Sequence, residues 1–148
     1  MKSVIHLVSI FNALLLMLGS KAYAQQKAEP WSKKQLIATE TLASRIEQGE
    51  TENLFILSIG PDAVIKGSVD IGPTMEAENL DKLKHYLKDV PKNKEVVIYC
   101  GCCPFERCPN IRPAFTVLKD LGFKNGKLLD IPQNIKVNWL DNDYPMNE

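Results

Sequence analysis

The chain has four cysteines, Cys100, Cys102, Cys103 and Cys108, all within nine positions. Clustered thiols can attack, exchange disulfides or hold a soft metal. The first two depend on the thiolate, which forms where backbone N–H groups and the positive end of a helix dipole stabilise its charge. Val96-Val97-Ile98-Tyr99 is an apolar, β-branched run ending on Cys100, and a compact loop rich in turn-formers follows. Ala114 to Leu121 then reads as a helix closed by Gly122, with Arg112 in its first turn. Strand, loop and helix N-terminus together predict the setting that a thiolate or a bound sulfur oxyanion needs. Cys100, at the strand end, is the candidate nucleophile. Gly101, Cys102 and Cys103 are the neighbours expected to line its pocket.

Other uses of the cluster have their own requirements. Three or four thiolates suit Cu(I) or zinc. Structural zinc sites, however, usually combine two separated cysteine pairs or add histidines, and here there is one cluster with no histidine near it. We therefore expect no metal and no cofactor. A Cys103–Cys108 or Cys102–Cys108 disulfide would close and stiffen the loop. Cys100 and Cys103 form a C-x-x-C pair that could cycle between dithiol and disulfide. Adjacent Cys102 and Cys103 cannot easily bridge each other.

The elements that must hold this loop can be read on either side of it. Thr39 is placed to cap a helix carrying Leu42, Ala43 and Ile46, ended by Gly49. Asn53 to Ile59 reads as a buried strand, Gly60-Pro61-Asp62 as a turn, and Ile65 to Pro73 as a short strand between glycines. Met75 to Asp89 is an amphipathic helix with Leu80, Leu83, Leu87 and Val90 at helical spacing, and His85 beside that stripe is a surface or packing residue. Glu95 to Tyr99 is the strand that delivers Cys100, and Lys127 to Asp130 is a further strand. Pro132 opens a last helix, Gln133 to Leu140, with Ile135 and Trp139 inward. Trp31 and Trp139 read as core or lid residues. Strands alternating with helices predict an α/β domain, a parallel sheet with helices on both faces, and ligands bind beyond the carboxyl ends of such strands.

With 148 residues, 45% hydrophobic and 24% charged, the chain suits one domain with a real core. Lys2, an apolar stretch centred on Ile10 to Leu18, and Ala22-Tyr23-Ala24 form the three-part pattern of a secretory signal cut after Ala24. His6, Ser9 and Asn12 leave the apolar run short of the ~20 residues a spanning helix needs. The expected layout is a signal peptide over 1–24, a lead-in over 25–34 and the domain over 35–148, in a secreted or periplasmic protein. Removing the signal deletes Lys2 and Lys21 and no acid, leaving 16 bases against 18 acids. That balance gives no reason to expect nucleic acid or an anionic membrane as partner. Export would place all four thiols in an oxidising compartment.

Three stretches together resemble a single rhodanese-like (sulfurtransferase) domain. They are Leu54 to Ile59 followed by Ile65 to Pro73, then Val97-Ile98-Tyr99-Cys100, and then Leu118 to Asn125 through Leu128-Leu129 with Trp139 and Tyr144-Pro145. The order and spacing span nearly all of the expected mature chain. The first strand of the family usually carries an aspartate and an arginine, where Ser58 and Gly60 stand here. The family's arginine five positions after the cysteine is replaced by Phe105, and the cysteine loop is an insertion. Phosphatase chemistry, which related folds perform with an arginine six after the cysteine, is not supported, since Glu106 stands six after Cys100 and Cys108 six after Cys102.

The resemblance implies that Cys100 takes sulfur from a small donor, holds it as a persulfide and passes it to a thiol or protein acceptor. Arg112 is then either a group that favours an anionic donor such as a thiosulfonate or an ordinary surface ion pair. Arg107 is a second candidate. It lies five after Cys102, the family spacing, which makes Cys102 the alternative nucleophile. Two other readings stay open: a thiol–disulfide redox protein using Cys100 and Cys103, and a non-catalytic binding module with a disulfide-closed loop.

Overall fold

A computed structural model describes residues 29–148; the expected signal segment and the start of the lead-in lie outside them. The elements run β1 (Leu36–Ala38), α1 (Thr39–Glu47), β2 (Leu54–Ser58), β3 (Ser68–Asp70), α2 (Ala77–Lys88), β4 (Glu95–Tyr99), α3 (Ile111–Asp120), β5 (Asn125–Asp130) and α4 (Ile135–Asn138). The strands form one sheet in the order β1-β5-β4-β2-β3, and every neighbouring pair is parallel. Strand β4 lies at its centre, with Ile56 beside Val97 on one side and Ile98 beside Leu128 on the other.

Because side chains alternate along a strand, β4 feeds two cores. Val96 and Ile98 pack with Leu83 and Leu87 of α2 and with Ala114, Phe115 and Leu118 of α3. Val97 and Tyr99 pack on the opposite face with Leu42 and Ala43 of α1 and with Trp139. Burial on both faces explains why this strand reads as an unbroken apolar run instead of an alternating one. The expected parallel α/β sheet, covered on both faces, is the observed fold. Among the described residues, no helix is long and apolar enough to cross a membrane.

Several boundaries differ from the sequence reading, each for a local reason. Strand β1 has only three residues, too few to show a period, and its register comes from pairing with β5. Thr39 is the first residue of α1, and its hydroxyl bonds Glu40 instead of capping the helix. Of the expected strand from Ile65 to Pro73, only Ser68–Asp70 pairs in the sheet, while Ile65 bridges antiparallel to Met146. Helix α3 starts at Ile111, so Pro113 sits in the first turn, where its missing N–H costs nothing. The expected last helix is one turn, capped by Asn134 Oδ1 accepting from the Val137 N–H at 2.9 Å. It breaks at Trp139, whose buried indole donates to the Pro145 carbonyl at 2.9 Å. His85 is exposed on α2.

Candidate active site

The end of β4 is fixed before the chemistry begins. Tyr99 sends its hydroxyl to the α1 side, where it accepts the Ile65 N–H at 3.2 Å and lies 2.9 Å from Ser68 Oγ. The next residue, Cys100, therefore turns to the α2 and α3 side, into that core. Gly101 reverses the chain with φ at +80°, a conformation that glycine adopts freely. Its carbonyl accepts the Ile135 N–H at 2.8 Å, and a Cβ there would lie 2.9 Å from Ile135 Cβ. Farther along, Phe105 is buried and its N–H reaches the Ile131 carbonyl at 3.0 Å, so the loop is held down at two points.

Between and beyond these anchors the sulfurs gather. The Sγ atoms of Cys100, Cys102 and Cys108 all lie within 4.8 Å of one another. Cys100 and Cys102 are 3.2 Å apart, and Cys103 touches Cys102 at the same distance. Asn110, just before α3, donates from Nδ2 to Cys100 Sγ at 3.3 Å. The asparagine is itself held by two contacts with the loop before α2. Its Oδ1 accepts the Met75 N–H at 2.9 Å, and its carbonyl accepts the Thr74 hydroxyl at 2.7 Å.

This environment separates the thiols electrostatically. Hydrogen bonding from Cys108 first, then from Asn110 and the Cys102 amide, outweighs burial and lowers the Cys100 thiol to about 5. Cys108 is raised because it donates to Cys100 and because it is buried. Cys102 is pushed up to about 12 by desolvation and then by its sulfur neighbours Cys100 and Cys103. Of these three thiols, Cys100 is the one the surroundings favour as a thiolate. Among the described residues it is also the group of three ligand atoms that could accept a soft cation, with Cys103 a further sulfur beside Cys102.

No protein-family model matches the chain, and no curated protein sequence matches it. Solved structures do. The single-domain sulfurtransferase RDL2 of Saccharomyces cerevisiae aligns over 79% of this chain and 93% of its own, with a TM-score of 0.52 and 15% identity. The chain has a rhodanese-like fold. A cysteine-to-serine variant of EanB, solved in complex with hercynine, aligns over 76% of this chain with a TM-score of 0.54 and 21% identity, and this chain spans 27% of its length.

Gly60, the position at which the resemblance expects an arginine, is packed against Cys100. A Cβ at Gly60 would lie 2.1 Å from the Cys100 carbonyl oxygen and 3.1 Å from its sulfur. Only glycine fits beside Cys100 there. Ser58 is buried, and its hydroxyl donates to the Asp62 carbonyl at 2.7 Å.

The arginines are not where an anion on Cys100 would want them. Arg107 and Arg112 line a cavity of about 680 Å³, together with Glu29, Trp31, Phe105 and Glu106, whose lining includes no cysteine. Arg112 is paired with Glu29 at 2.5 Å, donates to the Glu106 carbonyl at 2.8 Å and lies over the Trp31 ring. Of its two readings, the geometry shows the ion pair. The expected disulfides also need correction. All four cysteines are free, and Cys108 lies against Cys100 instead of Cys103, which stands outside the triangle of sulfurs. The same placement weakens Cys100 and Cys103 as a redox pair. Cys100 faces the interior: it is 3% exposed, and Cys102 beside it is the exposed sulfur. Sequence reasoning missed Asn110, which bridges three elements. An asparagine two residues after a cysteine and just before a helix was the available signal.

Proposed function

We propose that the protein is a sulfurtransferase-like carrier that holds sulfane sulfur as a persulfide on Cys100. The observation that carries this reading is the setting of Cys100: a buried sulfur just past the end of β4, with two other thiols within 4.8 Å and the Asn110 amide donating to it at 3.3 Å, donors that favour its ionised form. In the loading step Cys100 Sγ attacks the outer sulfur of a donor such as a thiosulfonate. The new S–S bond forms as the donor's S–S bond breaks, and a sulfinate or sulfite leaves with the electron pair. The charge now rests on the outer sulfur, and a thiol or protein acceptor takes that sulfur in a second displacement. The rhodanese-like fold supports this assignment, as does the place of Cys100 beyond the carboxyl end of the central strand. The signal pattern at the chain's start supports work in an exported compartment.

Intact mass tests the reading. Reduced protein incubated with thiosulfate, or with the less charged methanethiosulfonate anion, should take up one sulfur atom per chain, seen as added mass or, once discharged, as released sulfide, and Cys100→Ser should show neither. A Cys100→Ser protein that takes up sulfur as well as the parent, or a parent that neither gains sulfur nor releases sulfide with either donor, would overturn it.

A further inference from the structure

We infer that Cys108 is a resolving thiol, which discharges the persulfide as hydrosulfide and gives the protein a sulfane-sulfur reductase activity. This rests on the persulfide reading. Burial decides the direction of attack. A donor reaches Cys100 from solvent, past the exposed Cys102, so the transferred sulfur sits on that side. Displacing it as hydrosulfide requires a nucleophile behind Cys100 Sγ. Cys108, fully buried and within 4.8 Å, is the thiol in the interior.

The charge pattern times the reaction. While Cys100 is a thiolate, Cys108 is its hydrogen-bond donor and keeps its proton. Loading moves the negative charge to the outer sulfur, the bond that held the Cys108 proton is lost, and Cys108 becomes the easier thiol to ionise. In the discharge step the Cys108 sulfur forms a bond to Cys100 Sγ, the bond from Cys100 Sγ to the outer sulfur breaks, and the outer sulfur leaves with the electron pair and the Cys108 proton as HS⁻. The outer sulfur is reduced and the two cysteines are oxidised to a Cys100–Cys108 disulfide. An external dithiol or two monothiols must return the two electrons, and Cys102, exposed and 3.2 Å from Cys100, is the sulfur such a reductant meets first. The other thiols fit this step less well. A Cys100–Cys102 bridge would close a tight ring across Gly101 alone, and Cys103 lies outside the triangle.

The test loads reduced wild-type protein under argon with thiosulfate or methanethiosulfonate and no added thiol, and follows sulfide, intact mass and tryptic peptides. Trypsin cuts after Lys94, Arg107 and Lys119 and spares the Arg112–Pro113 bond, so a Cys108 bridge joins two peptides, while any bridge among Cys100, Cys102 and Cys103 stays within one. The expected result is about one sulfide per chain, a protein lighter by two hydrogens, and the two peptides linked through Cys100 and Cys108. Cys108→Ala and Cys108→Ser, checked for folding by circular dichroism, should instead keep the added sulfur on Cys100 and release no sulfide. Cys103→Ser should still form the bridge. A stable sulfur adduct on wild type, discharged only when thiol is added, would overturn Cys108 as resolver and leave the persulfide reading standing. Sulfide with a bridge inside one peptide would assign the role to Cys102 or Cys103. No sulfur retained and no sulfide released by either wild type or the Cys108 variants would remove the persulfide reading, and this inference with it.

Discussion

The sulfur cluster and the arginine-lined cavity share the loop that follows β4, the cavity adding Glu29 and Trp31 from the start of the described chain, yet they share almost no chemistry. Neighbouring residues of the loop go to different surroundings: Phe105 and Cys108 are buried, and Glu106 and Arg107 between them are exposed. In the cluster, a negative charge is stabilised by short-range donors, a thiol and two N–H groups. In the cavity, a positive charge is neutralised by Glu29 and spread over Trp31. The comparison teaches that a loop can carry an anion site and a cation site without bringing them together. The usual shortcut of pairing a nucleophilic cysteine with the next arginine fails where the loop is folded over the strand end.

Phe105 is where the two regions meet, since it belongs to the α3-side core and also lines the cavity next to Trp31, with ring centroids 6.3 Å apart. Truncating it should have the largest effect on stability. Phe105→Ala should cost ~3–5 kcal/mol by denaturant titration, and it should disturb sulfur loading together with any packing signal from Trp31. If one region changes without the other, the two are independent even at their shared wall.

Asn110 comes next. Asn110→Ala leaves the Met75 N–H without its partner and removes a donor from Cys100, for a loss of ~1–3 kcal/mol. The reactivity of Cys100 reads out the same change. In wild type, alkylation by iodoacetamide should rise as pH climbs through about 5 and level off above it, because the thiolate fraction grows with pH. In Asn110→Ala that midpoint should move upward, toward the ordinary thiol range. An unmoved midpoint would mean that the asparagine only ties the elements together.

The smallest effect belongs to the cavity. Arg112→Ala breaks a half-exposed ion pair and should change stability by at most ~1 kcal/mol. The rate of sulfur loading should stay within about twofold of wild type, a difference under ~0.5 kcal/mol in barrier. A tenfold loss of loading would show that Arg112 leaves Glu29 to meet the donor, and the separation of the two regions would fall.

Much of the fold could be read from the sequence because β4 and its neighbours are buried on both faces, and such strands announce themselves as apolar runs between glycine turns. The three-residue β1 and the single-turn α4 could not, since their limits are set by pairing with β5 and by the Asn134 cap. At the site, Cys100 was legible from its place at the end of a strand. Its partners were not, because which of three nearby thiols touches it depends on how the Gly101 turn and the Phe105 anchor fold the loop back. Cys108 and Asn110 are close to Cys100 through tertiary packing; the place of Asn110 just before a helix was a local hint, and nothing local marked Cys108 as the thiol against Cys100.

The crowding at Gly60 limits what can be built into this scaffold. An engineer wishing to install a guanidinium there, to give Cys100 a cationic companion, would drive the new side chain's first carbon to 2.1 Å from the Cys100 carbonyl oxygen, just past the end of the central strand. Any added charge has to come in from the solvent side, over the exposed sulfur, or ride in on the incoming molecule.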